Sequence, residues 1–155
     1  MTKKAALPDD FDAQRLGNQI CFPLYAASRL VTRLYQPMLE PLGLTYPQYI
    51  VLMILWEDGP STISAIGRRA LLATNTLTPL LKRLEVMGLL ERRRNDRDER
   101  IVNIHLTAKG RALKKKCACI PQNLFDQVGF SLEDSIVLKQ QLDKFLSHLQ
   151  AIDAD

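Results

Sequence analysis

Cys21 stands four residues before Tyr25 in the run Cys21-Phe22-Pro23-Leu24-Tyr25, so the two share a face of any helix that holds them. The thiolate is the form of cysteine that attacks an oxidant, and a phenol hydroxyl can donate a hydrogen bond that stabilises it. Oxidation takes such a thiolate to sulfenic acid and then to a disulfide, within the protein or with a small thiol. Apolar neighbours such as Phe22 and Leu24 favour an organic over a hydrogen peroxide by burying its alkyl tail. A lone cysteine on an apolar helix is most simply a small core residue, and a tyrosine there ordinary packing, so the pair needs support from its surroundings. Cys117 and Cys119 complete an odd set of three whose spacings match no zinc pattern. With only His105 and His148 beside them, no metal and no cofactor is expected. Two apart on one helix, Cys117 and Cys119 point about 200° apart, so at most one of them can resolve an oxidised Cys21.

A second chemistry lies in residues 74–100. Thr74, Asn75, Thr76 and Thr78 open a helix whose Leu77, Leu80, Leu81, Leu84 and Met87 form one buried stripe, with Lys82 and Arg83 opposite. Hydroxyls and the Asn75 amide suit base edges or phosphates, Pro79 suits a thymine methyl, and Lys82 and Arg83 suit phosphates. Gly88 stops the helix, and residues 89–106 then read as strand, charged tip and strand. Helix followed by basic hairpin is the layout of a winged helix-turn-helix on double-stranded operator DNA. In the wing, Arg97 or Arg100 reaches a minor groove, with Asp98 orienting the guanidinium.

Charge supports that placement. The net charge of +4 divides into +9 over residues 68–116 and −5 over the rest. A solvated face explains Arg92-Arg93-Arg94 or Lys114-Lys115-Lys116 taken singly, but the excess coincides with the reading helix and wing. An enzyme such as a thiol peroxidase has no use for a basic wing. The hydrophobic content of 46% is enough for a core, and no apolar run approaches a bilayer span, so a cytoplasmic protein without membrane contact is expected.

These sites need elements to position them. Ile20, Leu24, Ala27, Val31, Leu34 and Met38 predict a first helix over residues 11–41, bent near its end by Pro37. Residues 48–56 predict a central buried helix containing Trp56, with a turn at Gly59-Pro60. Ser61 caps a short supporting helix to Arg69. Thr107 caps another that runs to a bend at Pro121, and Ser131 with Asp134 opens a last one. In that last helix Leu138, Leu142, Phe145, Leu149 and Ile152 make a heptad-like seam suited to a second subunit. The fold expected is mainly α with a small β wing, a single domain over 1–155. Residues 46–106 form the winged module, and residues 11–42 and 107–155 are dimerisation helices.

Asp96-Arg97-Asp98-Glu99-Arg100 followed by Leu106-Thr107-Ala108-Lys109-Gly110 resembles the MarR family of dimeric regulators. Asn18 through Arg29, Tyr35-Gln36-Pro37, Leu44 through Tyr49 and Thr76 through Leu84 resemble its organic hydroperoxide sensors, over roughly residues 11–125. The resemblance implies a homodimeric repressor in which Tyr35 and Tyr46 of one subunit meet the face that carries Cys21 and Tyr25 of the other. It implies that organic hydroperoxide oxidises Cys21 and frees the DNA. Ala73-Thr74-Asn75 replaces the Asp-Ser-Gly common in these sensors, and Asp126 stands where two-cysteine members carry a resolving cysteine. Family geometry brings the region after Pro121 closest to the other subunit's thiol. A small external thiol is therefore the favoured resolver, with Cys119 and then Cys117 as alternatives. Many members of the wider family respond instead to a small aromatic ligand in the dimer cleft, with no thiol chemistry.

Overall fold

A helix that is apolar on every side has to be surrounded, and α2 (Tyr46–Asp58) packs against α1 (Cys21–Leu39), α3 (Ile63–Ala70), α4 (Thr74–Val86) and β3 (Val102–Leu106). Its Val51, Leu52 and Leu55 are fully buried, as the sequence predicts. Each such side chain contributes about 1.5–3 kcal/mol by leaving water. The Gln48 side chain is buried as well, because its Oε1 accepts the Thr45 N–H at 2.9 Å at the start of the helix. The computed structural model describes residues 8, 10–94 and 102–153, in two compact units, Met1–Arg111 and Ala112–Asp155.

The first helix is shorter than its periodicity suggests. Before Cys21 there is only a single 3-10 turn, Leu16–Asn18. Pro23 has no N–H to extend the ladder upstream, and local side chains compete for the backbone. The Asn18 side chain bonds the Asp12 carbonyl at 2.9 Å, and the Gln19 side chain bonds the Ala13 carbonyl at 3.2 Å. Pro37 lies inside α1, two residues before its end, and a 3-10 turn at Glu40–Leu42 leads through left-handed Gly43 into α2.

Ser61 does not cap the supporting helix. Thr62 does, its Oγ1 accepting the Ala65 N–H at 3.2 Å, while Ser61 and Thr62 together form the short strand β1. That strand makes the wing three-stranded, in the order β1-β3-β2, with β2 at Leu90–Arg94. Ser61 lies opposite Ile104, and Leu90 opposite Leu106, all pairs antiparallel. Between α3 and α4, Leu71 turns the chain in the left-handed region at φ 53°. At the far end of α4 the Leu89 N–H bonds the Leu84 carbonyl and the Gly88 N–H bonds the Glu85 carbonyl, with Gly88 at φ 70°. This is the glycine stop that the sequence predicts.

Thr107 caps α5 (Ala108–Lys116), its Oγ1 accepting the Gly110 N–H at 3.0 Å. The helix does not continue to Pro121. It ends at Lys116, and Pro121 occupies the first turn of a new helix, α6 (Ile120–Val128), where its missing N–H costs nothing. The last helix, α7 (Leu132–Asp153), starts where the Asp134 N–H bonds Ser131 Oγ at 3.0 Å. Along it Leu138 and Leu149 are nearly half exposed, and Ile152 is 73% exposed. Among the described residues no single helix is long and apolar enough to cross a membrane.

Candidate nucleic-acid interface and thiol site

Leu77, Leu81 and Leu84 anchor α4 in the core with no exposure, which turns its other side outward. Thr74, Asn75, Thr76, Thr78, Pro79, Lys82 and Arg83 are all exposed there. Steps of four bring Asn75, Pro79 and Arg83 into one row and Thr74, Thr78 and Lys82 into the next. Thr78 Oγ1 donates to the Thr74 carbonyl at 2.8 Å and so offers a partner its lone pairs. Ala73 at the helix start supplies no capping side chain; the Thr76 N–H bonds the Ala73 carbonyl at 3.0 Å, and no side chain caps the N–H groups ahead of it, which is the condition under which a helix start can take an anion.

The wing is tied to this helix. Arg92 Nε meets Glu85 Oε2 at 3.1 Å, joining β2 to α4. Arg93 pairs with Glu91 along the strand, and Arg94 is exposed at its end. Arg97, Asp98 and Arg100 lie outside the described residues. Arg69 is engaged elsewhere: its guanidinium bonds Asp58 and Glu57, which together push its pKa up and clamp the end of α3 to the end of α2.

Cys21 opens α1 and is exposed, with Tyr25 one turn on and 60% exposed beneath the Arg29 guanidinium, 5.6 Å from the ring centre. Tyr35 lies fourteen residues further along the same straight run, about 21 Å down the axis, so it cannot reach the Cys21 of its own chain. What Tyr35 does reach is Tyr46, at the start of α2, where the two rings stack with centroids 4.4 Å apart. Burial pushes the Tyr35 phenol up to about 12, helped by Tyr46 and Tyr49 and by a hydrogen bond given to Tyr46. Burial raises Tyr46 too, against the opposing effect of the bond it accepts. Both therefore remain neutral donors at ordinary pH, and Tyr46 keeps its own proton to give onward.

Two further aromatic residues belong to this cluster, although their place in an apolar run assigns them only to the core. Tyr49 lies 6.0 Å from Tyr35, and Trp56 lies 6.0 Å from Tyr49, edge to face. Their spacing after Tyr46, three and then seven residues, puts all three on one side of α2 and is the signal that could have found them.

Cys117 and Cys119 occupy the turn between α5 and α6 rather than one continuous helix, so helical spacing does not set the angle between them. Cys117 is buried, and burial raises its thiol pKa, with Cys119 adding to the effect. Cys119 is exposed. Asp126 accepts a hydrogen bond from Gln122 at 2.8 Å. Among the described residues no group of three His, Cys, Asp or Glu could hold a metal ion.

The family model described as transcriptional regulator SarA/Rot matches residues 33–117, from the middle of α1 to the turn after α5. The chain belongs to this family. SarA/Rot proteins of this kind are MarR-type winged helices, and this one is a DNA-binding transcriptional regulator. The SarA/Rot chain is 43% identical over 143 residues to the organic hydroperoxide resistance transcriptional regulator of Bacillus subtilis (strain 168), covering 92% of itself and 97% of that protein. It is also similar to the crystal structure of AbfR of Staphylococcus epidermidis, with a TM-score of 0.75 and 37% identity over 88% of this chain and 95% of that one. Reduced AbfR bound to DNA superposes with a TM-score of 0.70 at 38% identity, over 87% and 94% of the two chains.

Proposed function

We propose that this regulator is a homodimeric repressor that holds operator DNA while Cys21 is reduced and releases it when an organic hydroperoxide oxidises that thiol. The observation that carries the reading is the Tyr35–Tyr46 pair: two neutral phenols stacked at 4.4 Å, about 21 Å along the helix from the Cys21 of the same chain. In a two-fold dimer they meet the Cys21 of the partner subunit instead, together with its Tyr25; Tyr35 gives its hydrogen to Tyr46, and Tyr46 gives its own to the attacking thiolate. The name of the Bacillus subtilis relative supports the oxidant class, and reduced AbfR on DNA supports the binding state. The exposed stripe of α7 and the exposed Phe22 and Leu30 of α1 are the surfaces a second subunit would cover.

The Cys21 thiolate attacks the outer peroxide oxygen, the O–O bond breaks, the alkoxide takes up a proton and leaves as alcohol, and the sulfur becomes sulfenic acid. A small thiol then condenses with it, releasing water and forming a mixed disulfide; Cys119, or less readily the buried Cys117, is the internal alternative. The phenols lose the anion they were bonded to, and the helices that carry them resettle. A coupling of about 3 kcal/mol between this site and the DNA site weakens binding about a hundredfold. On DNA, Thr74, Asn75, Thr76, Thr78 and Pro79 read the major groove while Lys82 and Arg83 hold phosphates. Arg97 or Arg100 enters the minor groove, oriented by Asp98.

The test is a gel shift of the promoter next to the gene, with reduced protein, then cumene hydroperoxide, then dithiol. Wild-type protein releases and rebinds, and Cys21→Ser stays bound throughout. Release of Cys21→Ser by hydroperoxide would remove the thiol from the mechanism. A second reading, release by a small aromatic ligand without thiol chemistry, draws on a cavity of about 380 Å³ beside Tyr46, lined by Thr32, Gln36 and Leu39 among others. It predicts that Cys21→Ser responds like wild type.

A further inference from the structure

Trp56 sits where the tyrosine cluster ends and the wing begins. Its ring edge meets Tyr49 at 6.0 Å, Tyr49 meets Tyr35 at 6.0 Å, and Tyr35 stacks on Tyr46. On its other side, the indole Nε1–H donates to the Gly110 carbonyl at 2.9 Å. Gly110 is pressed against the start of β2 so closely that an added Cβ would stand 2.0 Å from the Leu89 oxygen. Around this contact the Gly110 N–H bonds Thr107 Oγ1, and Thr107 Oγ1 donates to the Gly88 carbonyl at 2.7 Å. Lys109 Nζ donates to the Met87 carbonyl, also at 2.7 Å. Met87 and Gly88 are the residues that end α4, and Leu89 leads into the wing.

We propose that Trp56 is a positioning residue that couples the Tyr35–Tyr46 cluster to the end of the recognition helix and the base of the wing. In treating those tyrosines as the sensing end, the proposal rests on the function proposed above. The physical reason lies in what the path is made of. Tyr35, Tyr49 and Trp56 are planar rings with few rotamers, the indole has one donor, and the acceptor is a backbone carbonyl on a helix with no room to move toward Leu89. A shift of the Tyr35 ring cannot be absorbed along such a path by a flexible side chain. It must be passed on, or the Trp56–Gly110 bond must break. Partial burial of Trp56 already calls for a partner to its N–H; what packing does not call for is that this partner belong to the helix start that presses on Leu89.

Contiguity alone does not establish coupling; a double-mutant cycle does. Tyr35→Leu, Trp56→Phe and the double variant of the full chain are titrated in reduced form against the promoter fragment. Trp56→Phe keeps a ring against Tyr49 and deletes the donor. Because Tyr35 and Trp56 touch only through Tyr49, a merely structural role for each gives losses of affinity that multiply. The proposal expects the double variant to bind about three- to tenfold better than that product. Multiplication to within about twofold would overturn it. If Trp56→Phe does not fold by circular dichroism, Thr107→Val replaces it, breaking the same path one hydrogen bond further on. No oxidant enters this cycle, so its outcome does not depend on Cys21. In a separate arm with cumene hydroperoxide, Trp56→Phe should lose its free Cys21 thiol at the wild-type rate yet release DNA less completely. Wild-type protein that is not released there counts against the thiol reading and leaves the cycle to judge the coupling.

Discussion

At the residue scale the phenols make the sharpest claim. Tyr35 has its pKa raised from 10.0 to about 12, so it prefers its neutral form in the fold more strongly than in the unfolded chain. The stability this contributes is fully present below pH 10 and is lost as pH rises toward 12, because the unfolded chain ionises first. Phenolate absorbance should therefore show late titration to which Tyr35 and Tyr46 both contribute, and Tyr35→Phe should remove the Tyr35 part of it. A titration that is the same in both proteins would mean that the ring is open to water. Cys21 and Tyr25 can be paired from the sequence because both lie on one helix, where spacing fixes direction. Spacing says nothing of Tyr35 against Tyr46, which stand on different helices, and only the resemblance to hydroperoxide sensors puts them together. The role of Trp56 is hidden in the sequence because a tryptophan in an apolar helix looks like core until the partner of its N–H is seen.

At the scale of elements, the contact between the start of α5 and the residue that leads into β2 leaves no space for a side chain at Gly110. Gly110→Ala must displace either the start of α5 or the Leu89 carbonyl, since 2.0 Å is far inside contact distance. It should destabilise the fold by about 2–4 kcal/mol and lower the midpoint of a denaturant melt with little change in slope. A melt like that of wild type would show that the helix start can slide. Periodicity places the helices largely correctly in their middles and wrongly at their ends. Residues 11–20 share the apolar rhythm of α1, yet Pro23 and the side chains of Asn18 and Gln19 stop the ladder there. Ser61 and Thr62 are both good caps and both pair with β3, about forty residues away; that pairing holds the chain extended through Thr62, so the helix starts after it and Thr62 becomes the cap. No local pattern carries that information. The break after Lys116 likewise precedes the proline expected to mark it, because proline starts helices as readily as it bends them.

For the whole molecule the governing quantity is where charge has been put. The +9 of residues 68–116 against −5 elsewhere predicts that affinity for DNA falls steeply with salt. Replacing both Lys82 and Arg83 by Ala removes four phosphate contacts from a dimer and should make the log–log salt slope shallower by about 3.6, at unchanged helicity. An unaltered slope would place these two side chains away from the phosphates. The uncapped start of α4 bears on the molecule as a whole in another way. Ser, Thr, Asp or Asn at that position would stabilise the helix by about 1 kcal/mol, and the chain has Ala73. The same N–H groups cannot serve a capping side chain and a phosphate together. Ala73→Ser should therefore raise the melting temperature of the free protein while weakening its hold on DNA, and the gain in melting temperature on adding DNA should shrink. If so, the operator itself completes the fold of this regulator, and selection for a tight grip sets a ceiling on how stable the unliganded chain can become.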